Sequence, residues 1–147
     1  MHCVKSVVKK NEGIVHMFLS CKELIFFRDK MKNVIKSLLG EKMDVIEDEE
    51  SWNCIFLFGM NEKSDNQNVI NLFLIVARYA IWCRRNIARD KNKKLGLWIY
   101  FKKKLEDYIR TLESYFKAEG TIYVFDKLIL NNNPYVLKTQ NGLEINL

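Results

Sequence analysis

The sequence predicts a small, mostly α-helical domain, and three observations support this fold class. The chain has 147 residues, which is the size of one domain and enough to bury a core. Its content of 48% hydrophobic and 29% charged residues is ordinary for a folded protein. One proline and six glycines leave long uninterrupted stretches, which favour helices over a turn-rich β fold. We expect a distinct segment at 1–21, a helical domain at 22–130 and a polar tail at 131–147.

The segment 1–21 carries three side chains of the types that bind zinc. Cys3, His16 and Cys21 supply thiol and imidazole donors, and the spacing of the last two lets both reach one ion. A Cys-x2-Cys turn would place a fourth ligand three residues after Cys3, where Ser6 stands instead. A neutral hydroxyl is a poor zinc ligand, so water, His2 or the amino terminus would have to replace it. The sequence therefore predicts a degenerate zinc knuckle, in which zinc binding is either weak or lost.

The first half of the helical domain has one clear helix, an acidic linker and one ambiguous segment. Apolar residues recur at steps of three and four from Leu24 to Leu39, and Gly40 then ends this helix. The acidic run 44–51 is expected to be an exposed linker. The apolar run 52–60 fits a short helix and a strand equally well.

A central helix is predicted next. Ser64 or Asp65 supplies the N-cap of a helix that begins near Asn66. The run 69–83 is apolar almost all round, which indicates a helix buried on most faces. It is about 15 residues long with an arginine inside, whereas a membrane span takes about 20 apolar residues. We therefore expect no membrane partner.

The segment 95–116 has the clearest helical periodicity of the chain. Its apolar stripe has eight members: Trp98, Phe101, Leu105, Tyr108, Ile109, Leu112, Tyr115 and Phe116. Burial of such a stripe contributes on the order of 10–20 kcal/mol before entropy, so the helix needs a partner. We predict that it packs on 69–83. Gly120 then breaks the chain, and the pattern of 122–130 leaves helix and strand open.

Basic charge is concentrated in one part of the chain. The net charge is +6, but 41–65 carry −6 and 78–104 carry +9. Such a concentration indicates a polyanion, RNA or DNA, as partner. The candidate phosphate contacts are Arg84, Arg85, Arg89, Lys91, Lys93, Lys94, Lys102, Lys103 and Lys104.

Aromatic residues are interleaved with these basic residues. Trp82, Trp98 and Tyr100 are of the type that stacks on unpaired bases. Alternatively, the lysines only solvate helix surfaces and the two tryptophans belong to the core, which is the more common place for tryptophan in such a pattern.

The cysteines and the other polar residues indicate an intracellular protein that is not an enzyme. The chain is too large and apolar to need disulfides and shows no secretory signal, so we expect reduced thiols in the nucleus or cytoplasm. Cys54 and Cys83 lie in apolar runs and are expected in the core. A polymerase centre needs closely set aspartates, and the acidic residues 47–50 lack the apolar strand that would position them.

Four segments, taken in order, resemble the carboxyl-terminal part of LINE-type (non-LTR) retrotransposon reverse transcriptases. Residues 12–21 (EGIVHMFLSC) resemble the E-T-x-x-H-x-F-x-x-C stretch that closes a Cys-Cys-His-Cys zinc site in that family. Residues 52–59 resemble its short apolar segment ending in glycine, and 71–85 its L-x-x-A-K/R-Y-x-I-W/Y-x-x-R helix. Residues 101–127 resemble its closing helical tail. Ser6, Gly13 and the segment 131–147 depart from the family pattern.

This resemblance implies a non-catalytic fragment that helps to hold template RNA or target DNA. The polymerase and nuclease would then belong to an upstream portion of a larger polyprotein. The resemblance also favours a helix at 122–130. The alternative is a retroelement-derived relic or host-captured helical interaction protein without nucleic-acid binding, which Ser6 and the unusual tail favour.

Overall fold

The computed structural model describes residues 13, 16–20, 22–61, 63–87, 96–131 and 133–147. These residues form a mostly helical domain, as the sequence predicts. In chain order they comprise a π-helical turn at His16–Ser20, α1 (Lys22–Leu39), a 3-10 turn at Gly40–Ile46, α2 (Glu49–Phe58), α3 (Gln67–Ile87), α4 (Leu97–Ala118), α5 (Ile122–Phe125), a π-helical turn at Asp126–Leu130, β1 (Val136–Thr139) and β2 (Gly142–Ile145). Among the described residues, no helix has the length and apolar character needed to cross a bilayer.

Helix α1 begins and ends as its apolar periodicity predicts. Phe27, Met31 and Ile35 lie one turn apart on its inner face and are almost completely buried. Gly40 follows the last residue of α1 with a φ of +58°, a conformation that glycine adopts without the steric penalty of a side chain. The carbonyl of Leu38 in the last turn accepts a hydrogen bond from the buried Asn66 side chain at 3.0 Å.

The prediction of an exposed linker at 44–51 is wrong, because α2 begins inside this acidic run. Asp48 is the N-cap, and its carboxylate accepts a hydrogen bond from the backbone N–H of Ser51 at 2.9 Å. This hydrogen bond lowers the pKa of Asp48. Glu49 and Glu50 occupy the first turn, where negative charge is favourable near the positive end of the helix dipole. The acidic run therefore starts a helix, which continues to Phe58, so most of 52–60 is helical rather than a strand.

Helix α2 has one buried face, which corrects the prediction for Cys54. Trp52 and Phe56 lie one turn apart and are buried, whereas Cys54 projects from the other side and is exposed. The residues on both sides of Cys54 are apolar, so the sequence did not indicate that this face of α2 is exposed. Cys83 of α3 is buried, as the sequence predicts.

The buried Arg28 of α1 joins three elements. It donates hydrogen bonds to the Leu19 carbonyl at 3.0 Å and to the Asn53 side chain of α2. Its guanidinium also lies 3.6 Å from the Glu49 carboxylate. Burial lowers the pKa of Arg28, and the charge of Glu49 opposes this shift. Arg28 thus fixes the turn His16–Ser20 and α2 against α1.

Helices α3 and α4 pack against each other, as predicted, and they form the largest helix–helix contact among the described elements. Tyr79 of α3 meets Lys104 and Tyr108 of α4, while Cys83, one turn later, meets Tyr100. Residues with higher numbers in α3 therefore contact residues with lower numbers in α4, so the two helices are antiparallel.

The buried stripe of α4 is narrower than the sequence predicts. Phe101, Leu105 and Ile109 are fully buried, but Tyr108 is 42% and Tyr115 is 58% exposed. A single helix buries only the part of its apolar surface that its neighbours cover, so residues at the stripe's margin remain accessible to solvent.

Two polar residues interrupt the apolar surface of α3, and both bind the end of α2. The Arg78 guanidinium donates a hydrogen bond to the Phe56 carbonyl at 2.6 Å. The Asn71 amide accepts from the Met60 backbone N–H at 2.6 Å and donates to the Met60 carbonyl at 3.0 Å. The last carbonyls of a helix lack partners within it, so Arg78 supplies the missing bond at Phe56, and Asn71 binds the backbone just beyond the helix. Gly59, which lies between Phe56 and Met60 in the chain, has a φ of +90°.

The prediction that 131–147 form a polar tail with little packing power is wrong. Strands β1 and β2 form an antiparallel hairpin, in which Val136 pairs with Ile145 and Thr139 with Gly142. Val136 and Leu143 are buried against the helices. Side chains alternate between the two faces of a strand, so one inward residue per strand is enough to attach a segment that is polar in composition. The preceding segment 122–130 is helical, as the resemblance favours.

Candidate nucleic-acid interface

The structure describes five of the nine predicted phosphate contacts, namely Arg84, Arg85, Lys102, Lys103 and Lys104. Arg84 and Arg85 lie in the last turn of α3, where positive charge is favourable at the negative end of the helix dipole. Both side chains are partly buried, and each interacts with another group of the protein. The remaining four lie outside the described residues: Arg89, Lys91, Lys93 and Lys94.

The three lysines of α4 do not form a single surface. Consecutive residues are separated by about 100° around a helix, so Lys102, Lys103 and Lys104 point in different directions. Lys103 is exposed, and the other two are partly buried. Lys104 faces α3: its ammonium lies 6.0 Å from the centre of the Tyr79 ring and 5.4 Å from that of Tyr100. These distances are suitable for cation–π attraction, so Lys104 is held among aromatic rings.

Lys104 contacts the rings of Tyr79 and Tyr100, and Trp82 and Tyr108 in turn contact Tyr79; we call these four aromatic residues the aromatic cluster. Tyr79 and Trp82 lie on one face of α3, with ring centres 6.4 Å apart and planes inclined by 24°. Tyr108 meets Tyr79 edge-on at 6.3 Å. The exposed fractions of Tyr79, Trp82 and Tyr108 are 40%, 52% and 42%. The cluster therefore presents a large aromatic surface to solvent.

Two phenols of the cluster, those of Tyr79 and Tyr100, have raised pKa values and are therefore neutral at neutral pH. A hydrogen bond with the Cys83 thiol raises the pKa of Tyr79 above its ordinary value. Burial is the main cause that raises the pKa of Tyr100, with a further contribution from Cys83, and Lys104 opposes this shift. These two hydroxyls and the adjacent Lys104 ammonium thus supply a positive charge and hydrogen-bond donors at this surface.

Two residues of the basic region do not belong to this surface. Arg78 contributes to the sequence charge of 78–104, but its guanidinium is bound to the end of α2. Trp98 packs against Phe27 of α1, with ring centres 5.7 Å apart, and against Phe101 at 5.4 Å. Trp98 is thus partly buried and packs against the core rather than lying within it. The expectation that Trp82 belongs to the core is wrong, because its indole is half-exposed.

Tyr79 and Tyr108 were not among the candidates that the sequence identified. The three-residue spacing of Tyr79 and Trp82 places them on one helix face, and that signal was available in the sequence. The role of Tyr108 depends on the register in which α4 packs on α3. The residue spacing within either helix does not determine how the two helices are aligned.

The predicted zinc ligands belong to the amino-terminal segment. Cys3 and Cys21 lie outside the described residues, as does the side chain of His16. In the part of the chain that the structure describes, no group of three or more histidine, cysteine, aspartate or glutamate residues is arranged to hold a metal ion. The zinc site therefore stays a prediction.

The chain was also compared with known proteins. It matches no protein-family model, and neither the curated proteins nor the solved structures include a significant match. The resemblance to LINE-type reverse transcriptases thus remains a prediction from the residues alone.

Proposed function

We propose that this chain is a non-catalytic nucleic-acid-binding domain, of the type that LINE-type reverse transcriptases carry near their carboxyl end. The observation that supports this proposal is the exposed aromatic cluster around Lys104. It lies where α3 enters the basic segment 84–104. Aromatic rings and cations at one surface suit a ligand that has both planar bases and phosphates.

The electrostatic part of this binding would depend little on sequence. Lysines and arginines that neutralise phosphates release counterions, so affinity falls steeply as salt rises. The segment 41–65 carries a net charge of −6, whereas 78–104 carry +9. This excess of positive charge in the basic region can attract a polyanion.

The proposal assigns no reaction to this chain. A polymerase and a nuclease would be supplied by another part of a larger polyprotein, and this domain would hold template RNA or target DNA in the nucleus or cytoplasm. Cys3, His16 and Cys21 would form a weak zinc site that organises the amino-terminal segment. Measuring zinc in the purified protein tests this part, because loss of the site predicts a stoichiometry near zero.

Titration of the protein into fluorescently labelled single-stranded RNA tests the function itself. If about five phosphates are neutralised, a fourfold rise in salt should weaken binding by about 100-fold. Fluorescence anisotropy at two salt concentrations measures this change. Absence of binding at low salt, or affinity that does not depend on salt, would contradict the proposal.

A second candidate function is protein interaction without nucleic-acid binding. Ile75, one turn before Tyr79, is 50% exposed, and Tyr115, two turns after Tyr108 on α4, is 58% exposed. Exposed apolar surfaces of this kind often bind other proteins. Size-exclusion chromatography distinguishes the two candidates, because self-association that nucleic acid does not affect favours protein interaction.

A further inference from the structure

We infer that the aromatic cluster binds the unpaired bases of a single strand in preference to duplex, with Trp82 stacking on a base and Lys104 contacting a neighbouring phosphate. This inference rests on the proposed function and specifies its ligand. A domain could bind nucleic acid through the basic segment alone without any such preference.

The accessibility of the rings favours unpaired bases. Trp82 exposes 52% of its surface, and Tyr79 and Tyr108 expose about two-fifths of theirs. In a duplex the faces of the bases are stacked on each other, so a protein meets mainly the backbone and the base edges. Exposed ring faces gain stacking contacts only from bases that are free to leave the stack.

The relative orientation of the Tyr79 and Trp82 rings suits the stacking of bases on both rings. The planes of Tyr79 and Trp82 are inclined by only 24°, so a base that lies parallel to the indole is also nearly parallel to the phenol ring. Tyr108 contacts Tyr79 at 71° and supports that ring from α4. The platform is therefore fixed by two packed helices, which reduces the loss of side-chain entropy on binding.

The position of Lys104 favours a polyanion over an apolar protein partner. Its ammonium lies within 6.0 Å of two rings of the cluster, so any ligand that covers the rings also approaches this charge. Lysine is depleted from the centres of protein–protein interfaces, because a buried ammonium without an acidic partner is costly. A nucleotide supplies a base for the ring and a phosphate for the ammonium at once. Neutral phenols at Tyr79 and Tyr100 add no repulsion.

A comparison of single-stranded and duplex oligonucleotides of the same sequence tests the inference. We expect the protein to bind the single strand more tightly, and Trp82→Ala to weaken that binding by about 5- to 150-fold, the loss expected for one stacked base. Duplex affinity should change little. Phe58→Ala is the matched control, because Phe58 is an 81% exposed aromatic residue on α2, outside the basic segment. It should leave both affinities unchanged.

Intrinsic fluorescence supplies an independent measurement. Of the three tryptophans, Trp52 is buried, Trp98 is partly buried and Trp82 is half-exposed. Stacking of a base on Trp82 should quench the long-wavelength part of the emission. Trp82→Phe keeps an aromatic ring, so it should retain most of the affinity but lose this quenching. This variant also keeps the test valid if Trp82→Ala does not fold.

Three outcomes would overturn the inference. Equal affinity for single strand and duplex, unchanged in Trp82→Ala, would leave the proposed nucleic-acid binding intact but exclude the aromatic cluster as its base platform. Failure to bind either ligand would contradict both proposals. A dimer that dissociates in Trp82→Ala would show that the surface is covered by a second copy of the chain.

Discussion

Replacement of Arg78 by methionine should destabilise the fold and leave nucleic-acid binding intact. The guanidinium donates to the Phe56 carbonyl at 2.6 Å, and burial lowers the pKa of Arg78 without removing its charge at neutral pH. Methionine keeps much of the apolar stem but leaves this carbonyl unpaired. A hydrogen bond from a charged donor contributes about 1.5–3 kcal/mol, which corresponds to roughly 5–10 °C in Tm for a domain of this size.

Thermal unfolding followed by circular dichroism measures the first effect, and titration with single-stranded RNA measures the second. Lys104→Met is the matched control, because it removes the same charge from the aromatic cluster. We expect its stability to fall by no more than about 1 kcal/mol, the contribution of its cation–π contacts, and its logarithmic salt slope to fall by about 0.7. An unchanged Tm together with weaker RNA binding in Arg78→Met would refute the claim that the Arg78 guanidinium binds the end of α2 rather than RNA.

Three further substitutions test other parts of the fold. Gly59→Ala should destabilise by about 1–3 kcal/mol in urea unfolding, because φ is +90° and an added Cβ would lie 3.0 Å from the Asn71 side chain; an unchanged midpoint would contradict this. Asn66→Ala should cost about 1–3 kcal/mol, because it leaves a buried carbonyl in the last turn of α1 unpaired; chemical denaturation checks it. The hydrogen bond from the Ser51 N–H lowers the pKa of Asp48 in the folded state. The stabilisation of the fold by the ionised Asp48 carboxylate is therefore complete above its unfolded pKa of about 3.9, and it is lost as the pH falls from that value through the lower pKa of the folded state. The difference in Tm between the wild type and Asp48→Asn should therefore shrink on acidification from neutral pH, and a constant difference would contradict this.

The long helices could be predicted from the sequence because their apolar residues repeat over several turns. Helix α1 lies where the spacing from Leu24 to Leu39 places it, and Gly40 ends it. The packing of α3 on α4 followed from two large apolar surfaces that each needed a partner. These features depend on periodicity, which the sequence contains directly.

The features that the sequence did not predict depend on single contacts or on tertiary register. Several acidic residues precede α2, and only the folded backbone identifies Asp48 as the N-cap. The inward direction of Arg78 requires knowledge of where α2 ends. The hairpin buries only a few side chains, so its mean composition resembles a polar tail.

For the candidate site, the sequence predicted a concentration of basic charge but not the aromatic cluster. The concentration of basic residues between 78 and 104 indicated a polyanion partner from composition alone. The aromatic cluster requires the antiparallel register that brings Tyr108 to Tyr79. Sequence spacing therefore identified part of the surface, and packing completed it.

Ultraviolet cross-linking of the protein to single-stranded RNA, followed by mass spectrometry of the linked peptides, tests the central claim most directly. Aromatic side chains that stack on bases should become linked, so we predict adducts at Trp82 and Tyr79 of α3 and at Tyr108 of α4. Adducts confined to α1, α2 or the carboxyl-terminal hairpin would contradict the claim that the aromatic cluster is the nucleic-acid interface.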